Sequence, residues 1–249
     1  MLFLISVLVE HVWNPSLAAP PSSDYKLIWQ DEFDGSQLDS AKWSYRKPGR
    51  LGPRRLFSVN DPKLGKLDGK GHLLMISDSI GTDLHTVQIE TKGKFETTYG
   101  YFEARMKFQK LQGHWISFFL FNQTLHTPGN PRANGTEIDV IEYSVKDADL
   151  HNVNVHWDGY YKEHKHAGHQ THVPGLSEGW HDIGCEWTSD AYIFYCDGKK
   201  MWEHNEPVSQ TNQYIILSLA VSKSVGKFPP NSLPDTLLVD HVRVYKSTP

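Results

Sequence analysis

The feature that most constrains this chain is an alternation of apolar and polar residues with a period of two. In residues 101–108, four apolar residues alternate with tyrosine or charged ones: Phe102, Ala104, Met106 and Phe108. Successive side chains of a strand point to opposite sides of the sheet, so this pattern is typical of a strand with one buried face. Residues 237–245 repeat it. Both segments predict half-buried antiparallel strands.

Eight further segments have the length and the aromatic or β-branched content of strands: residues 27–33, 72–77, 114–121, 136–143, 152–157, 181–187, 192–196 and 213–221. Gly, Pro, Asn and Asp separate them, as in the turns between short strands. No amphipathic helical stretch exceeds about ten residues, which excludes a barrel of eight strands and eight helices. We therefore predict an all-β fold, a jelly-roll sandwich of two antiparallel sheets.

Length and composition limit the class of protein. The chain has 249 residues, of which 39% are hydrophobic, and this suffices for one sizeable core. The formal net charge of −4 leaves no basic surplus, so we expect no nucleic-acid partner. The longest apolar run, residues 2–9, is far shorter than the ~20 residues that span a membrane. We expect a globular monomer with no membrane span.

The first 24 residues differ from the rest of the chain. The apolar run is followed by small residues at 16–18, and the pattern resembles a secretory signal with a cleavage site after Ala18. Unlike a typical signal, it has no Lys or Arg before the run. We expect a signal-like leader and linker in residues 1–24, one folded domain in residues 25–249, and a secreted or periplasmic protein.

Two cysteines, Cys185 and Cys196, flank a predicted hairpin turn at Ser189-Asp190. A two-residue turn there would pair Cys185 with Phe194, so a disulfide between the cysteines needs another register. A cross-strand disulfide and two buried free thiols are the two alternatives. Two cysteines are too few for a disulfide-scaffolded miniprotein or a four-cysteine zinc site.

Three acids, Glu137, Asp139 and Glu142, interrupt an otherwise β-branched strand. Ionised carboxylates on a core-forming strand are costly unless they line a cleft. On a regular strand Glu137 and Asp139 share one face and Glu142 points to the other. A β-bulge near Val140-Ile141 would turn Glu142 onto the face of the other two. The segment therefore predicts three converging carboxylates.

Converging carboxylates suit the hydrolysis of a glycosidic bond. The outer two can serve as nucleophile and general acid/base, and in a retaining enzyme they stand ~5–5.5 Å apart. Their mutual repulsion raises one pKa, as a general acid that works near neutrality requires.

The motif Glu-Ile-Asp-Val-Ile-Glu resembles the catalytic signature of glycoside hydrolase family 16 in its longer, bulged form, which occurs in β-1,3-glucanases, agarases and carrageenases. Five further segments resemble that family in the same order: residues 29–35, 91–105, 186–188, 194–198 and 239–245. The resemblance spans residues 27–246. It implies a concanavalin A-like β-jelly-roll with a concave cleft, and it assigns Glu137 as nucleophile, Glu142 as general acid/base and Asp139 as the residue that tunes the charge of the nucleophile.

The resemblance also implies residues that bind substrate. Trp115 occupies the position of a subsite tryptophan, whose flat face stacks on a sugar ring. The chain departs from the family beside it, with Ile116 where Pro is frequent and Phe119 where Trp is frequent.

A histidine near the acid/base is expected on the neighbouring strand. His156 is the candidate and His151 is its rival, with a core histidine as the alternative for either. We list Trp157 and Arg105 as further candidates for the cleft, each of which is equally a candidate for a structural role.

Some members of the family hold a structural Ca²⁺ on the convex sheet, with a carboxylate from the closing strand. Asp240 matches that position, and Glu32 or the backbone carbonyl of Gly71 can complete the set, since oxygen ligands suit Ca²⁺. We expect no organic cofactor.

Two other motifs point to different chemistry. Residues 175–179 match the G-x-S-x-G nucleophile elbow, but that elbow lies between a strand and a helix, and Pro174 precedes this one. Residues 164–172 contain four histidines whose spacing can suit Zn²⁺, yet no carboxylate or cysteine completes the set. We predict that this run is a loop at the rim of the cleft.

The sequence thus predicts a retaining endo-acting glycoside hydrolase that cleaves internal β-linkages of a polysaccharide. Few Lys or Arg cluster near the predicted cleft, which favours a neutral β-1,3- or β-1,3-1,4-glucan. The alternatives are a β-galactan hydrolase that acts on agarose, carrageenan or a mucin-type glycan, and a carbohydrate-binding jelly roll without activity.

Overall fold

The computed structural model describes residues 20–46, 58–81, 83–110, 112–221 and 231–247. The predicted signal segment, up to residue 19, lies outside the described residues. The first strand begins at Tyr25, where the sequence predicts the start of the folded domain. Among the helices of the described residues, none has both the length and the apolar composition needed to cross a membrane.

Strands dominate the described chain: β1 (Tyr25–Asp31), β2 (Ser44–Tyr45), β3 (Ser58–Asn60), β4 (Gly65–Leu67), β5 (Leu73–Ile80), β6 (Asp83–Thr86), β7 (Gln88–Glu90), β8 (Gly100–Lys107), β9 (His114–Phe121), β10 (Glu137–Tyr143), β11 (Leu150–Trp157), β12 (Lys165–His172), β13 (His181–Trp187), β14 (Tyr192–Cys196), β15 (Lys199–His204), β16 (Tyr214–Val221) and β17 (Asp235–Ser247). A four-residue helix, α1 (Pro131–Asn134), precedes β10, and short 3₁₀ turns lie at Pro62–Leu64, Gln123–His126 and Val145–Asp147.

The strands form two sheets that pack as a sandwich, as predicted. The seven-stranded sheet has the order β12-β11-β10-β9-β16-β7-β2. The ten-stranded sheet has the order β15-β14-β13-β8-β17-β5-β6-β3, with β1 beside β17 and β4 beside β5. Neighbouring strands are antiparallel except for the parallel pair of β3 and β6. Some strands that are neighbours in a sheet are far apart in sequence, such as β8 and β17.

The core lies between the sheets and is built from alternate residues of their strands. The four apolar residues of 101–108 are at most 4% exposed. From the other sheet, β9 contributes Ile116, Phe118 and Leu120, all fully buried. The alternation in the sequence thus identified the core-facing side of β8, because that side alone is apolar.

The other side of β8 departs from the prediction of a half-buried strand, because its charged residues are buried too. Glu103 lies 3.2 Å from His241 Nε2, and Arg105 Nη1 donates to Asp182 at 2.9 Å. The carboxylate of Asp182, on the neighbouring strand β13, therefore compensates for the burial of Arg105, and Glu103 has His241 of β17 as its neighbour. Arg105 belongs to the ten-stranded sheet and not to a substrate cleft, so its assignment as a substrate-binding residue was wrong.

Seven strands were not predicted: β2, β3, β4, β6, β7, β12 and β15. Of the two longest, β12 contains three histidines of the run that was predicted to be a rim loop, and β15 follows β14 through a tight turn. Both are edge strands, so neither needs the apolar residues that reveal a strand in sequence.

The two cysteines are free and buried. Cys185 is paired in register with Phe194, and Cys196 with Ile183. This is the register of the two-residue turn, and it places the two thiols on different rungs of the ladder.

We expect a reducing agent to leave the melting temperature of the protein unchanged. A disulfide would contribute about 2–4 kcal/mol, so its reduction would lower the melting temperature by several degrees. Thermal scans with and without dithiothreitol measure this. Burial also raises the pKa of both thiols, so an aromatic disulfide reagent should modify them only in denaturant. A non-reduced, denatured chain that exposes no thiol would contradict the assignment.

Candidate active site

A β-bulge in β10 brings the three carboxylates to one face of the seven-stranded sheet. The register of β10 shifts between Asp139 and Glu142 against β11, and between Asp139 and Ile141 against β9. Val140 and Ile141 are both fully buried. Without the extra residue, Ile141 would face out and Glu142 would enter the core, so burial of two successive apolar residues favours the bulge. The predicted bulge is confirmed.

We call the side that bears Glu137, Asp139 and Glu142 the carboxylate face. Residues of β11 that pair with them also lie on it, since directly opposite residues of antiparallel strands share a side. His156 is opposite Glu137, and Asn154 is opposite Asp139. Trp115, Ser117 and Phe119 of β9, in turn, share the face from the other flank of β10.

Glu142 is held by nitrogen donors at both of its carboxylate oxygens. Trp115 Nε1 donates to Oε1 at 2.8 Å, and Asn154 Nδ2 donates to Oε2 at 2.7 Å. Asn152 Nδ2 makes a longer contact with Oε2, at 3.5 Å. Trp115, Asn152 and Gln170 also line a pocket beside Glu142. Trp115 thus lies where the sequence analysis expects it, and it touches a proposed catalytic group directly.

Glu137 has different neighbours, which are themselves titratable. The hydroxyl of Tyr160, from the loop between β11 and β12, donates to Glu137 Oε2. His156 Nε2 lies 3.3 Å from Asp139 Oδ2, and His156 Nδ1 lies 2.9 Å from His164 Nε2. His156 is therefore part of the site but next to Asp139, not beside Glu142 as predicted. The bulge is the reason, because it carries Glu142 along the strand to the level of Asn152.

Tyr160 and Asn154 were not predicted from the sequence, and His164 was predicted only as part of a loop at the rim of the cleft. Tyr160 and His164 lie close to Glu137 and Asp139 only because the loop after β11 folds back over the face. Their sequence context shows no periodicity that could place them. Asn154 was within reach of prediction, since its alternation with Val153 and Val155 marks it as facing away from the core.

Burial above all, and next the charge of Asp139, raise the pKa of Glu137 to about 8, against the opposing effects of Tyr160 and His156. Glu137 therefore holds a proton at neutral pH in the substrate-free chain and must lose it before it can act as a nucleophile. One raised pKa among the carboxylates was expected. It falls on the residue that the family resemblance assigns as nucleophile, rather than on the general acid.

Two aromatic candidates face the other way. Trp157 stacks on His204 of β15, in the other sheet, with ring centroids 6.0 Å apart. His151 is fully buried, and burial lowers its pKa to about 4. Both side chains point between the sheets, opposite to that of His156, because they are an odd number of residues away from it. Trp157 also packs against the cluster that contains Phe119 of the carboxylate face, so its substrate-binding role stays a prediction, whereas His151 is a core histidine.

The calcium candidates do not fit the ion through their carboxylates. Both oxygens of Glu32 accept hydrogen bonds from the Arg243 guanidinium, each at 2.8 Å. Asp240 Oδ2 lies 3.4 Å from Arg105 Nε. Gly71 does lie beside the backbone of Glu32. Cations of the chain itself already compensate these carboxylates, so no step of the reaction is derived through Ca²⁺.

The other two motifs do not form catalytic or metal centres. Ser177 Oγ donates to Asp149 at 2.9 Å, in a turn between two strands, so the strand–turn–helix context of a nucleophile elbow is missing. In β12, His166 and His172 point to the carboxylate face while His169 points away. Among the described residues, neither group with convergent metal-binding atoms contains a histidine of this run.

Comparison with known families and proteins agrees with this geometry. Residues 62–228, about two thirds of the chain, match the family described as glycosyl hydrolases family 16. A beta-glucanase of Rhodothermus marinus is 26% identical over 98% of this chain and 93% of its own length. A keratan-sulfate endo-1,4-beta-galactosidase of Sphingobacterium multivorum is 28% identical over 90% of this chain and 56% of its own length.

Solved structures also resemble this fold. The crystal structure of a laminarinase from Flavobacterium sp. UMI-01 superposes with a TM-score of 0.76 at 25% identity, and the match covers 89% of this chain and all of that one. The aligned region covers 93% of the length of the Rhodothermus marinus beta-glucanase, but only 39% of the length of another relative, a glucan endo-1,3-beta-glucosidase of Niallia circulans.

We expect Glu137→Gln to stabilise the protein, and more so as the pH rises. Folding raises the pKa of Glu137 from its ordinary value of 4.5 to about 8, so the folded wild type binds more protons than the unfolded chain between these values. Its stability therefore falls as pH rises through that window. If the variant gains about 2 kcal/mol at pH 8, its melting temperature rises by about 4–8 °C.

Thermal scans at pH 4.5 and pH 8 measure this effect, with Glu163→Gln as the control because it removes an exposed carboxylate. The gain should be much smaller at pH 4.5, where the folded wild type is protonated at this position and the unfolded chain is half protonated. A gain that is equal at both pH values would show that the pKa of Glu137 is not raised by folding.

Proposed function

The chain belongs to glycosyl hydrolases family 16, and we propose that within this family it is a retaining endo-glucanase that cleaves internal β-1,3 linkages of a β-1,3- or mixed-linkage glucan. Endo-acting glycoside hydrolysis follows from the family. The observation that supports the mechanism is the bulge in β10, which brings Glu137 and Glu142 to one face with Asp139 between them.

In the proposed reaction Glu142 protonates the glycosidic oxygen while Glu137 attacks the anomeric carbon. The bond to the leaving sugar breaks and an ester forms between the substrate and Glu137. Glu142, now ionised, takes a proton from water, which attacks the anomeric carbon and releases the product with retained configuration. Asp139 lies between the two glutamates on the same face, and Tyr160 donates a hydrogen bond to Glu137.

The uncharged character of the face near Glu142 supports a neutral polymer. The donors nearest to Glu142 are an indole and two amides, from Trp115, Asn152 and Asn154. Arg46, farther along the same sheet, lies 3.3 Å from Glu90 and is thereby neutralised. A sulfated galactan would be expected to require unpaired Arg or Lys for its sulfate groups.

A β-galactan substrate is the second candidate, supported by the similarity to the Sphingobacterium multivorum galactosidase. Gluco- and galacto-configured sugars differ in one hydroxyl, and the amide side chains around Glu142 can bind either. Substrate assays therefore decide between the two.

We expect the protein to release reducing ends from laminarin or lichenan about 10-fold faster or more than from agarose, carrageenan, keratan sulfate or a mucin-type glycan. The reason is the absence of unpaired cations among the described residues that contact Glu142. Reducing-sugar assays on the whole panel measure this, with Glu142→Gln as the inactive control. Cleavage of a galactan with inert glucans would establish the second candidate. Binding to a polymer without any reducing-end release would indicate a carbohydrate-binding jelly roll.

We expect the two glutamates to fail differently when each is replaced by alanine. Glu142→Ala removes only proton transfer, so an activated dinitrophenyl β-glucoside should still glycosylate Glu137. Added azide needs no general base and should then release a β-glycosyl azide. Glu137→Ala removes the group that forms the covalent intermediate, so it should yield no β-glycosyl azide.

Product analysis by NMR spectroscopy distinguishes the two anomers. An α-glycosyl azide from Glu142→Ala, or a β-glycosyl azide from Glu137→Ala, would reverse the two roles. The experiment is informative because the raised pKa of Glu137 is, taken alone, a property of a general acid.

A further inference from the structure

Asn154 forms a bridge across three neighbouring strands. It lies on β11, between Asp139 of β10 and Gly168 of β12 in the ladder. Its amide nitrogen donates to Glu142 Oε2 at 2.7 Å. Its amide oxygen lies over Gly168, 2.0 Å from where a β-carbon would be attached at that position. The side-chain nitrogen of Asn154 therefore donates to the proposed acid/base, and the side-chain oxygen occupies the space above Gly168.

The backbone does not require glycine at residue 168. Gly168 is not among the glycines with positive φ, so any residue could adopt its conformation. The strand propensity of glycine is low, so β12 gains nothing from it as a strand. What the glycine provides is room: besides Asn154 Oδ1 at 2.0 Å, a β-carbon would meet Asn154 Cγ at 3.1 Å and the Val153 carbonyl oxygen at 3.0 Å.

Glu142 has particular need of such support. It follows a bulge, where the extra residue interrupts the regular ladder of β10. Its carboxylate direction is fixed by two short hydrogen bonds, one from Trp115 and one from Asn154. If Asn154 rotates, Oε2 keeps only the longer contact from Asn152, at 3.5 Å.

We propose that Asn154 and Gly168 are a positioning pair for the general acid/base: Asn154 aims Glu142 at the glycosidic oxygen, and the missing side chain of Gly168 lets Asn154 do so. This inference rests on the proposed function, which makes Glu142 the acid. It explains why an edge strand outside the catalytic strand has a glycine at this position. Neither residue transfers a proton itself.

The test is a double-mutant cycle on the full chain with Asn154→Ala, Gly168→Ala and the double variant. Each single variant should lower kcat on the preferred polymer by about 10–100-fold, as expected for a misplaced acid, while KM changes little. In the double variant the added β-carbon meets no amide, so the loss should equal that of Asn154→Ala alone.

The leaving group separates positioning from a general structural effect. An activated dinitrophenyl glycoside needs little protonation, and azide needs no general base, so with both present dinitrophenol release should proceed at nearly the wild-type rate in all three variants. Ala167→Ser is the matched control: it adds one heavy atom to the neighbouring residue of β12, whose side chain is on the opposite side, and it should keep wild-type kcat on the polymer. The melting temperatures of Gly168→Ala and Ala167→Ser should be similar.

A second readout does not depend on turnover. In the ¹H–¹⁵N spectrum, the side-chain amide of Asn154 should exchange slowly with solvent in the wild type, because it is hydrogen-bonded to Glu142, and it should lose this protection in Glu142→Ala and in Gly168→Ala. Additive losses in the cycle, wild-type kcat in Gly168→Ala, or equal losses on the activated glycoside would each overturn the inference. A wild-type protein that cleaves no polymer would instead contradict the proposed function, and the amide protection would still test the pair.

Discussion

The site depends on one extra residue in β10. Val140 and Ile141 are consecutive and both are fully buried, so the strand can place them in the core only by forming a bulge between Asp139 and Glu142. Fully burying a side chain of this size is worth about 1.5–3 kcal/mol, whereas an ionised glutamate in that core would be strongly unfavourable. The same hydrophobic burial that holds the two sheets together therefore turns Glu142 outward, next to Glu137 and Asp139.

The sequence predicted those parts of the fold that hydrophobic alternation controls. β9, β13 and β14 begin and end where expected, since apolar residues on their inner side define them. β12 and β15 were not predicted, because edge strands are stable without an apolar side and leave no such pattern. The bulge was predicted from the order of acids and apolar residues. The position of Arg105 was not, because the direction of a side chain depends on which sheet its strand joins.

The partners of the carboxylates were harder to predict than the carboxylates themselves. His156 was expected near the acid/base, but the bulge offsets the two strands and places it beside Asp139. Tyr160 reaches Glu137 from a loop, whose path depends on contacts distant in sequence. The role of Gly168 is visible only once the side chain of its neighbour in the ladder is placed. Local sequence identifies which groups carry chemistry, whereas tertiary structure decides which of them meet.

The two ends of the carboxylate face differ in their capacity to move protons. Trp115 and Asn154 offer Glu142 only N–H donors that neither accept nor release a proton at ordinary pH. Glu142 can therefore exchange its proton only with substrate or water, which is what an acid/base residue requires. Around Glu137, the contacts run from Asp139 to His156 and on to His164, whose pKa is lowered, first by burial and then by the neighbouring histidines. A neutral His164 can accept a hydrogen bond from His156, and Tyr160 donates one to Glu137, so the groups around Glu137 are themselves able to give or take protons. Such neighbours suit the proposed nucleophile, because Glu137 must lose its proton before it attacks the anomeric carbon.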